Sequence, residues 1–277
     1  MIITKASKFL KQTFPNPYLI DTLGFEKHMR QIRERRSEKV PVAWYERPYF
    51  YCLRLENEKI KGHGDTLYFP SYVTKKDYEF ELVGLFTEPI KTVDLDEAIE
   101  YVKNKMFFTI FNDLSSRDFQ ADDTKLPLGV SASKGIPDKS FGPVFVNGKE
   151  LVFDKNGVPI IEMRLRVNSE SRFCQSFQGI YFLDPKTGKY SCWSFAQVIA
   201  WFGKMNQGFK AGDLLGSGTV GSGSIAEFAP KNDKDGKEVE PAKYLWLKEG
   251  DVVTMEAEGI GILENKIGVV DMPNPKE

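Results

Sequence analysis

The sequence predicts a strand-dominated α+β fold with few helices. Short segments in which apolar and polar residues alternate recur from residue 48 to the C-terminus, and this pattern is typical of strands with one buried face. Apolar residues at helical spacing occur in only a few places, and we find no internal repeat. The chain has 277 residues, 41% of them hydrophobic and 28% charged, which fits one large domain or one with a small appendage.

A change in composition near residue 48 indicates how the chain is organised. Residues 1 to about 45 are polar and basic, and they include one predicted helix, from Asp21 to Arg36. This change predicts a small N-terminal segment followed by a larger, strand-rich domain.

The predicted elements beyond this change are mostly strands. The predicted strands are residues 49–53, 66–69, 77–82, 107–111, 143–146, 160–167, 179–183 and 251–261. The predicted helices are residues 94–102, which have an acidic first turn, and residues 194–202, which begin at a serine cap. Strands therefore outnumber helices, as the fold class requires.

Composition excludes several classes of function. A formal charge of −1 gives no electrostatic reason to bind nucleic acid or an acidic membrane. The three cysteines (Cys52, Cys174 and Cys192) have no metal-ligand spacing and cannot all pair, which favours a reducing cytoplasm. The only two histidines, His28 and His63, argue against zinc enzymes and histidine-dependent triads. No run of about 18 apolar residues is present to span a bilayer, so we expect a cytoplasmic protein.

Two carboxylates share one face of the predicted strand at residues 77–82. Successive strand side chains point to opposite faces, so Glu79 and Glu81 lie on one face and three apolar or aromatic side chains on the other. Two like charges that face a protein interior repel each other unless a positive charge lies between them. A divalent cation would meet this need, and oxygen ligands favour Mg²⁺, Mn²⁺ or Ca²⁺. In isolation, such a pair is more often exposed to solvent.

A second polar cluster follows the apolar strand at residues 107–111. Asp113 comes directly after this strand and is followed by further polar residues, including Arg117 and Gln120. A polar cluster at the end of a buried strand is more often a functional site than a surface loop. The alternative is a turn stabilised by an ion pair between Arg117 and Asp118.

The two motifs together resemble the fumarylacetoacetate hydrolase family. Further segments agree with that family in the same order, at residues 133–135, 141–144, 165–168, 212–219 and 247–261. The resemblance covers roughly residue 60 to the C-terminus, and it implies a small N-terminal segment, residues 1–60, followed by a catalytic domain, residues 61–277. It implies a mixed β-roll or β-sandwich, a homodimer, and a metal-dependent enzyme acting on small 2-oxo or β-diketo acids.

The resemblance also implies a metal site. By matching position, Glu79, Glu81 and Asp113 would hold a cation of the Mg²⁺ type, with Mn²⁺ or Ca²⁺ as alternatives. A cation bound to a keto oxygen acts as a Lewis acid for an enolate, and a nearby ammonium adds charge stabilisation.

Five residues match family positions that contact the substrate. Lys134 matches the active-site lysine, and the alternative is a solvated loop lysine, as we expect Lys125 and Lys139 to be. Arg117 and Gln120 also match, and the alternative for Arg117 is a structural ion pair. Gly218 and Thr219 match as well, and their alternative is a tight turn that requires glycine.

One expected element is absent from its expected place. Hydrolytic members of the family carry a His-x-x-Glu element after an early strand, and this pair activates water. The corresponding stretch, residues 51–59, contains no histidine. Glu58, if it is buried, and His63, if it swings into the site, are the candidates for this catalytic role.

The sequence therefore predicts a metal-dependent enzyme that hydrolyses a C–C bond in an acylpyruvate-type substrate. Isomerisation, decarboxylation or dehydration of a 2-oxo acid through a metal-bound enolate is the alternative, because these reactions do not need a histidine to activate water. A non-catalytic protein that binds 2-oxo acids is a further alternative.

Overall fold

The computed structural model describes residues 1–126, 129–233, 235 and 237–277. The described residues form six α-helices: α1 (Ala6–Thr13), α2 (Glu26–Glu34), α3 (Leu95–Asn104), α4 (Arg117–Asp123), α5 (Ser131–Gly135) and α6 (Phe195–Lys204). Short 3₁₀ turns lie at Val42–Tyr45, Asn57–Lys59, Gly148–Glu150, Phe177–Ile180 and Ala226–Phe228. None of the described helices combines the length and the apolar character that a membrane crossing requires.

Strands dominate the chain, which confirms the predicted α+β class. The first ten are β1 (Ile2–Thr4), β2 (Tyr18–Thr22), β3 (Phe50–Arg54), β4 (Ile60–Lys61), β5 (Thr66–Pro70), β6 (Lys76–Asp77), β7 (Phe80–Leu85), β8 (Phe107–Asn112), β9 (Ser115–Ser116) and β10 (Lys139–Asn147). The others are β11 (Glu162–Val167), β12 (Glu170–Ser176), β13 (Tyr181–Leu183), β14 (Tyr190–Cys192), β15 (Leu214–Gly216), β16 (Lys231–Asn232), β17 (Glu238–Glu240), β18 (Val252–Ala257) and β19 (Gly261–Val270).

The larger of two main sheets has eight strands. Their order is β1-β10-β8-β7-β15-β2-β3, and β4 pairs with β10 as well. Most neighbours are antiparallel, but β15 runs parallel to β2 and β10 runs parallel to β4. The N-terminal residues supply β1, β2 and β3, so this segment forms one sheet together with strands from residues 61–277.

The second main sheet has five strands, in the order β12-β11-β18-β19-β5. Strand β8 of the larger sheet is buried on both faces. On one face, Phe108 and Ile110 join a large core that includes residues of β11 and α6. On the other face, Phe107 and Phe111 join a smaller core with Leu10 of α1. This double burial explains the unbroken apolar run in the sequence of β8.

The predicted helix from Asp21 to Arg36 is wrong in its first part. Asp21 lies in β2, and α2 begins only at Glu26. Strand β2 pairs with β15 on one side and with β3 on the other, and these distant partners outweigh helical spacing. Gly24 separates the strand from the helix, and a Cβ atom there would lie 2.4 Å from the carbonyl oxygen of Ser217.

Candidate active site

A cavity of about 310 Å³ lies at one end of four neighbouring strands of the larger sheet, β8, β7, β15 and β2. Charged and polar side chains from β2 and β7, from the residues just before β7 and just after β15, and from α4 and α5 form its floor, and α2 forms its outer wall. The floor residues used below are Asp21, Glu79, Glu81, Arg117, Lys134 and Thr219.

Strand register brings three acidic side chains together at this end of the sheet. Gly216 of β15 pairs with Asp21 of β2. Phe111 of β8 pairs with Glu81 of β7, and Asp113 follows β8 directly. Because β7 and β15 are also neighbours, the three acidic residues converge although they are far apart in sequence.

We call Asp21, Glu81 and Asp113 the acid triad. A carboxylate oxygen from each lies within 4.8 Å of the others, and all three residues are buried. One oxygen of Asp21 accepts a hydrogen bond from the Gly218 N–H at 3.3 Å, and one oxygen of Glu81 accepts from the Thr219 hydroxyl at 3.4 Å. The second oxygen of Glu81, Oε2, has no hydrogen-bond partner among the described residues.

Two members of the acid triad, Asp21 and Glu81, have raised pKa values. Burial, followed by the charge of Asp113, raises the pKa of Asp21 to about 7. Burial and the charges of Asp21 and Asp113 raise the pKa of Glu81 well above its usual value. The local protein environment therefore does not fully neutralise these carboxylates.

A divalent cation fits the acid triad. The donor atoms are all oxygens, they are close together, and one of them is a buried oxygen without a partner. Hard cations such as Mg²⁺ and Mn²⁺ bind this type of donor set. Two of the three predicted metal ligands, Glu81 and Asp113, belong to the triad, and Asp21 is a candidate that the sequence patterns did not identify.

Glu79, the third predicted ligand, lies beside the triad in a different environment. Arg117 Nη2 donates to Glu79 Oε1 at 2.5 Å, and Lys134 Nζ donates to Oε2. Burial disfavours the charged form, but Arg117 and Lys134 outweigh it and lower the pKa of Glu79 well below its usual value. Glu79 is thus neutralised by protein cations, and its role as a metal ligand stays a prediction.

Arg117 joins several parts of the cavity floor. Its Nε donates to Asp77 at 2.8 Å, and its Nη1 donates to Gln120 at 2.7 Å, which places Gln120 on the cavity lining. The alternative of an ion pair with Asp118 is wrong, because Asp118 instead accepts from the Thr74 N–H at 2.7 Å.

Asp77 connects Arg117 to a turn on the far side of the floor. It is fully buried and accepts hydrogen bonds from the N–H groups of Ile225 and Ala226, at 2.7 and 3.0 Å. We call Asp77 and Glu79 the paired set, because both carboxylates bind Arg117.

Two buried lysines donate to Asp113. Lys134 Nζ donates to Asp113 Oδ2, to Glu79 and, at 2.9 Å, to the Ser115 hydroxyl. Lys139 Nζ donates to Asp113 Oδ1 and to the Leu114 carbonyl at 2.6 Å. Lys139 is only 1% exposed, so its prediction as a solvated loop lysine is wrong.

A histidine–glutamate pair lies next to the paired set. His28 Nδ1 lies 2.9 Å from Glu227 Oε1, and both residues are buried. Glu227 also accepts from the Ser224 N–H and hydroxyl, at 3.0 and 3.1 Å, and from the Ser222 N–H. Because these groups all donate to Glu227, its carboxylate is the acceptor and His28 Nδ1 carries the proton. The other nitrogen, Nε2, lies 3.9 Å from Glu79 Oε1, and His28 lines the cavity.

The sequence patterns did not identify this pair. The two partners lie 199 residues apart along the chain, so no local pattern connects them.

The two catalytic candidates from the sequence lie elsewhere. Glu58 is exposed and lies in a 3₁₀ turn. His63 is also exposed, and its Nδ1 accepts from the Glu264 N–H at 3.1 Å. Neither belongs to the described lining of the cavity, so the structure does not bring either to the site.

The glycine–threonine element, Gly218 and Thr219, lies beside the acid triad. Gly218 has φ +77°, and a Cβ atom there would lie 2.4 Å from the Thr22 carbonyl oxygen, so the turn does require glycine. The same turn directs the Gly218 N–H to Asp21 and places Thr219 on the cavity lining. Gly218 and Thr219 can therefore form a turn that requires glycine and still present a hydroxyl to the cavity.

The outer wall of the cavity differs from its floor. Helix α2 contributes the apolar side chains of Met29 and Ile32, followed by Arg33, and Arg36 lies just beyond the helix. Arg33 pairs with Glu38 at 2.7 Å. Arg36 is exposed and makes no ion pair within the described part of the chain. The wall is thus apolar with a basic rim.

Comparisons with known proteins cover most of the chain. An uncharacterized protein from Archaeoglobus fulgidus is 26% identical over 96% of this chain and 84% of its own length. An oxaloacetate tautomerase from Bacillus subtilis is 27% identical over 76% of this chain, which spans only 58% of the tautomerase. A fumarylpyruvate hydrolase from Pseudomonas aeruginosa, solved with Mn²⁺ and pyruvate, has a similar fold, with a TM-score of 0.63 at 18% identity over 91% of this chain and 89% of that chain.

A family model described as the C-terminal domain of fumarylacetoacetate hydrolase matches residues 19–268. The match begins before residue 60, so it includes the segment that carries Asp21 and His28. The chain belongs to the fumarylacetoacetate hydrolase family.

Proposed function

We propose that this chain is a divalent-metal-dependent enzyme that hydrolyses a C–C bond in a small acylpyruvate-type acid. The observation that carries this proposal is that one cavity is lined by residues of two groups: Asp21 and Glu81 of the acid triad, and His28 of the His28–Glu227 pair. The first suits a hard cation, and the second suits proton transfer. The homodimer and the cytoplasmic location stay predictions.

Asp21, Glu81 and Asp113 would hold the cation, and Glu79 is a candidate for a fourth ligand. Mg²⁺ and Mn²⁺ are the cations we expect. When bound, the cation supplies Lewis acidity toward the keto oxygen of a 2-oxo acid. The structure solved for the hydrolase relative contains Mn²⁺ and pyruvate, which supports this class of cation and ligand.

The chain's own side chains would bind and orient the substrate. The side chains of Lys134, Arg117, Gln120 and Thr219 all line the cavity. Lys134 and Arg117 carry positive charge toward a substrate carboxylate or a developing enolate. Arg117 is held rigidly by Asp77, so the guanidinium loses little freedom when a substrate binds.

His28 would act as the general base. Glu227 holds the imidazole by Nδ1, which leaves Nε2 as the proton acceptor. In hydrolysis, Nε2 takes a proton from water while the water oxygen attacks the distal carbonyl carbon of the substrate. The C–C bond then breaks, and the leaving enolate takes up a proton to become pyruvate. Residues 51–59 contain no histidine, but His28 lies outside that stretch and can supply the base for this step.

Tautomerisation of a 2-oxo acid is the second candidate. The Bacillus subtilis relative is an oxaloacetate tautomerase, and the same base would move a proton between carbon and oxygen without involving water. The cavity floor serves both reactions, so the substrate and the access of water decide between them.

One experiment separates these candidates. EDTA-treated protein is incubated with acetylpyruvate or with oxaloacetate, with and without Mn²⁺. Hydrolysis predicts equal amounts of pyruvate and acetate, whereas tautomerisation predicts faster loss of the enol absorbance of oxaloacetate without release of pyruvate. Saturable binding of both acids with no turnover would make the chain a non-catalytic binder. Activity that EDTA does not lower would contradict the metal-dependent proposal.

A further inference from the structure

The two oxygens of Asp113 face different surroundings. Oδ2 accepts from Lys134 and, at 2.8 Å, from the Tyr51 hydroxyl, and both of these donors line the cavity. Oδ1 accepts from Lys139, which is only 1% exposed and does not belong to the described lining. One oxygen is therefore on the cavity side, and the other is on the side of the protein interior.

Lys139 lies away from the cavity, whereas Lys134 lines it. It lies at the start of β10, where it pairs with Ile60 of β4, and its ammonium also donates to the Leu114 carbonyl at 2.6 Å. Lys134 lies in the short helix α5 and faces the cavity. A ligand that enters the cavity thus competes with Lys134 for Oδ2, whereas Oδ1 stays bound to Lys139.

We infer that Lys139 is a positioning residue that limits Asp113 to one ligand oxygen and so selects the cation. Ca²⁺ takes six to eight oxygens and readily uses both oxygens of a carboxylate, whereas Mg²⁺ binds near-ideal octahedra. A site in which one carboxylate can offer only one oxygen favours the smaller ions, Mg²⁺ and Mn²⁺. This inference rests on the metal centre of the proposed function.

The positive charge of Lys139 has a separate effect. A buried ammonium beside the carboxylates weakens the binding of every divalent cation by a similar factor, because the repulsion depends on charge and distance. This common factor cancels when the Ca²⁺ affinity is divided by the Mn²⁺ affinity. The ratio therefore reports how many oxygens Asp113 offers.

The test is calorimetric titration of Mn²⁺ and of Ca²⁺ into EDTA-treated wild type, Lys139→Met and Lys125→Met. Lys125 is 73% exposed on its side chain and pairs with Asp122, so its variant removes the same charge from the surface. We expect wild type and Lys125→Met to bind Mn²⁺ at least about tenfold more tightly than Ca²⁺. In Lys139→Met, the Ca²⁺ to Mn²⁺ affinity ratio should rise by about tenfold or more. An unchanged ratio overturns the inference.

Two further outcomes keep the inference testable if Lys139→Met does not fold. Lys139→Arg keeps the charge and a donor toward Oδ1, so it should keep the wild-type ratio. Wild type that binds Ca²⁺ as tightly as Mn²⁺ overturns the inference without any variant and leaves the proposed function standing. Wild type that binds neither cation overturns both.

Discussion

Two groups of carboxylates on the same cavity floor differ in what neutralises them. In the paired set, Asp77 and Glu79 bind the Arg117 guanidinium, and Glu79 also binds Lys134. In the acid triad, Glu81 has one oxygen without a partner in the described residues, and its pKa lies well above the usual value. The pKa of Glu79, in contrast, lies well below it.

The comparison shows that strand alternation does not determine the electrostatic surroundings of a side chain. Glu79 and Glu81 are two positions apart, but their neighbours come from different elements. Glu79 meets Arg117 and Lys134 from α4 and α5, whereas Glu81 meets Asp21 from β2. The nearest charges thus pair one glutamate with protein cations and leave an oxygen of the other without a partner among the described residues.

The largest expected effect comes from replacing one glutamate of each group. Glu81→Gln should lower activity by about 10⁴-fold, because losing the cation removes several kcal/mol of transition-state stabilisation. Glu79→Gln should retain Mn²⁺ binding within about tenfold of wild type, because its carboxylate is neutralised by protein cations. Steady-state kinetics and Mn²⁺ titration of both variants provide the measurement. Equal loss of Mn²⁺ binding in the two variants would remove the distinction between the groups.

The next effect tests the base beside the paired set. His28→Ala should lower kcat by about 10³-fold, as expected for the loss of a general base, and should leave Mn²⁺ affinity unchanged. His63→Ala is the matched control, since His63 is exposed and lies outside the described lining. Full activity in His28→Ala, or a similar loss in His63→Ala, would refute the assignment.

The fold class and the family could be predicted from the sequence because both depend on local patterns. The apolar run of β8 and the alternation around Glu79 and Glu81 are visible within a few residues. The order of several such motifs then identified the family.

The rest of the candidate site could not be predicted in this way, since it depends on long-range pairing. Asp21 joins the triad only because β2 runs parallel to β15, whose residues lie almost 200 positions later. His28 depends on Glu227 at a similar separation. Lys139 looks like any loop lysine until the start of β10 buries it beside Asp113.

A smaller effect concerns the stability of the metal-free protein. The folded pKa of Asp21 is raised to about 7 from 3.8, so the stability that this group contributes is complete below pH 3.8 and is lost as the pH rises through about 7. Between about pH 5 and about pH 7.5 the loss should be on the order of 3 kcal/mol. Glu81, whose pKa is also raised, acts in the same direction.

Urea unfolding in EDTA at these two pH values measures this loss. Asp21→Asn should reduce the loss of unfolding free energy between these pH values. Mn²⁺ should abolish this loss in wild type, because the cation binds the ionised carboxylate. Metal-free wild type that gains stability over this interval would contradict the predicted sign.

The smallest expected effect lies at the basic rim. Arg36→Gln should raise KM several-fold, by about 3- to 10-fold, for substrates with a second carboxylate, because an exposed ion pair contributes about 1 kcal/mol. KM for acetylpyruvate, which has one carboxylate, should not change. An equal increase for both substrates would show that Arg36 does not contact the distal carboxylate.

The most direct test of the metal centre is an anomalous difference map from a crystal soaked in Mn²⁺. We predict one strong peak per chain, within coordination distance of oxygens from Asp21, Glu81 and Asp113. A map with no peak there, or with its strongest peak elsewhere on the chain, would contradict the assignment of the acid triad as the cation site.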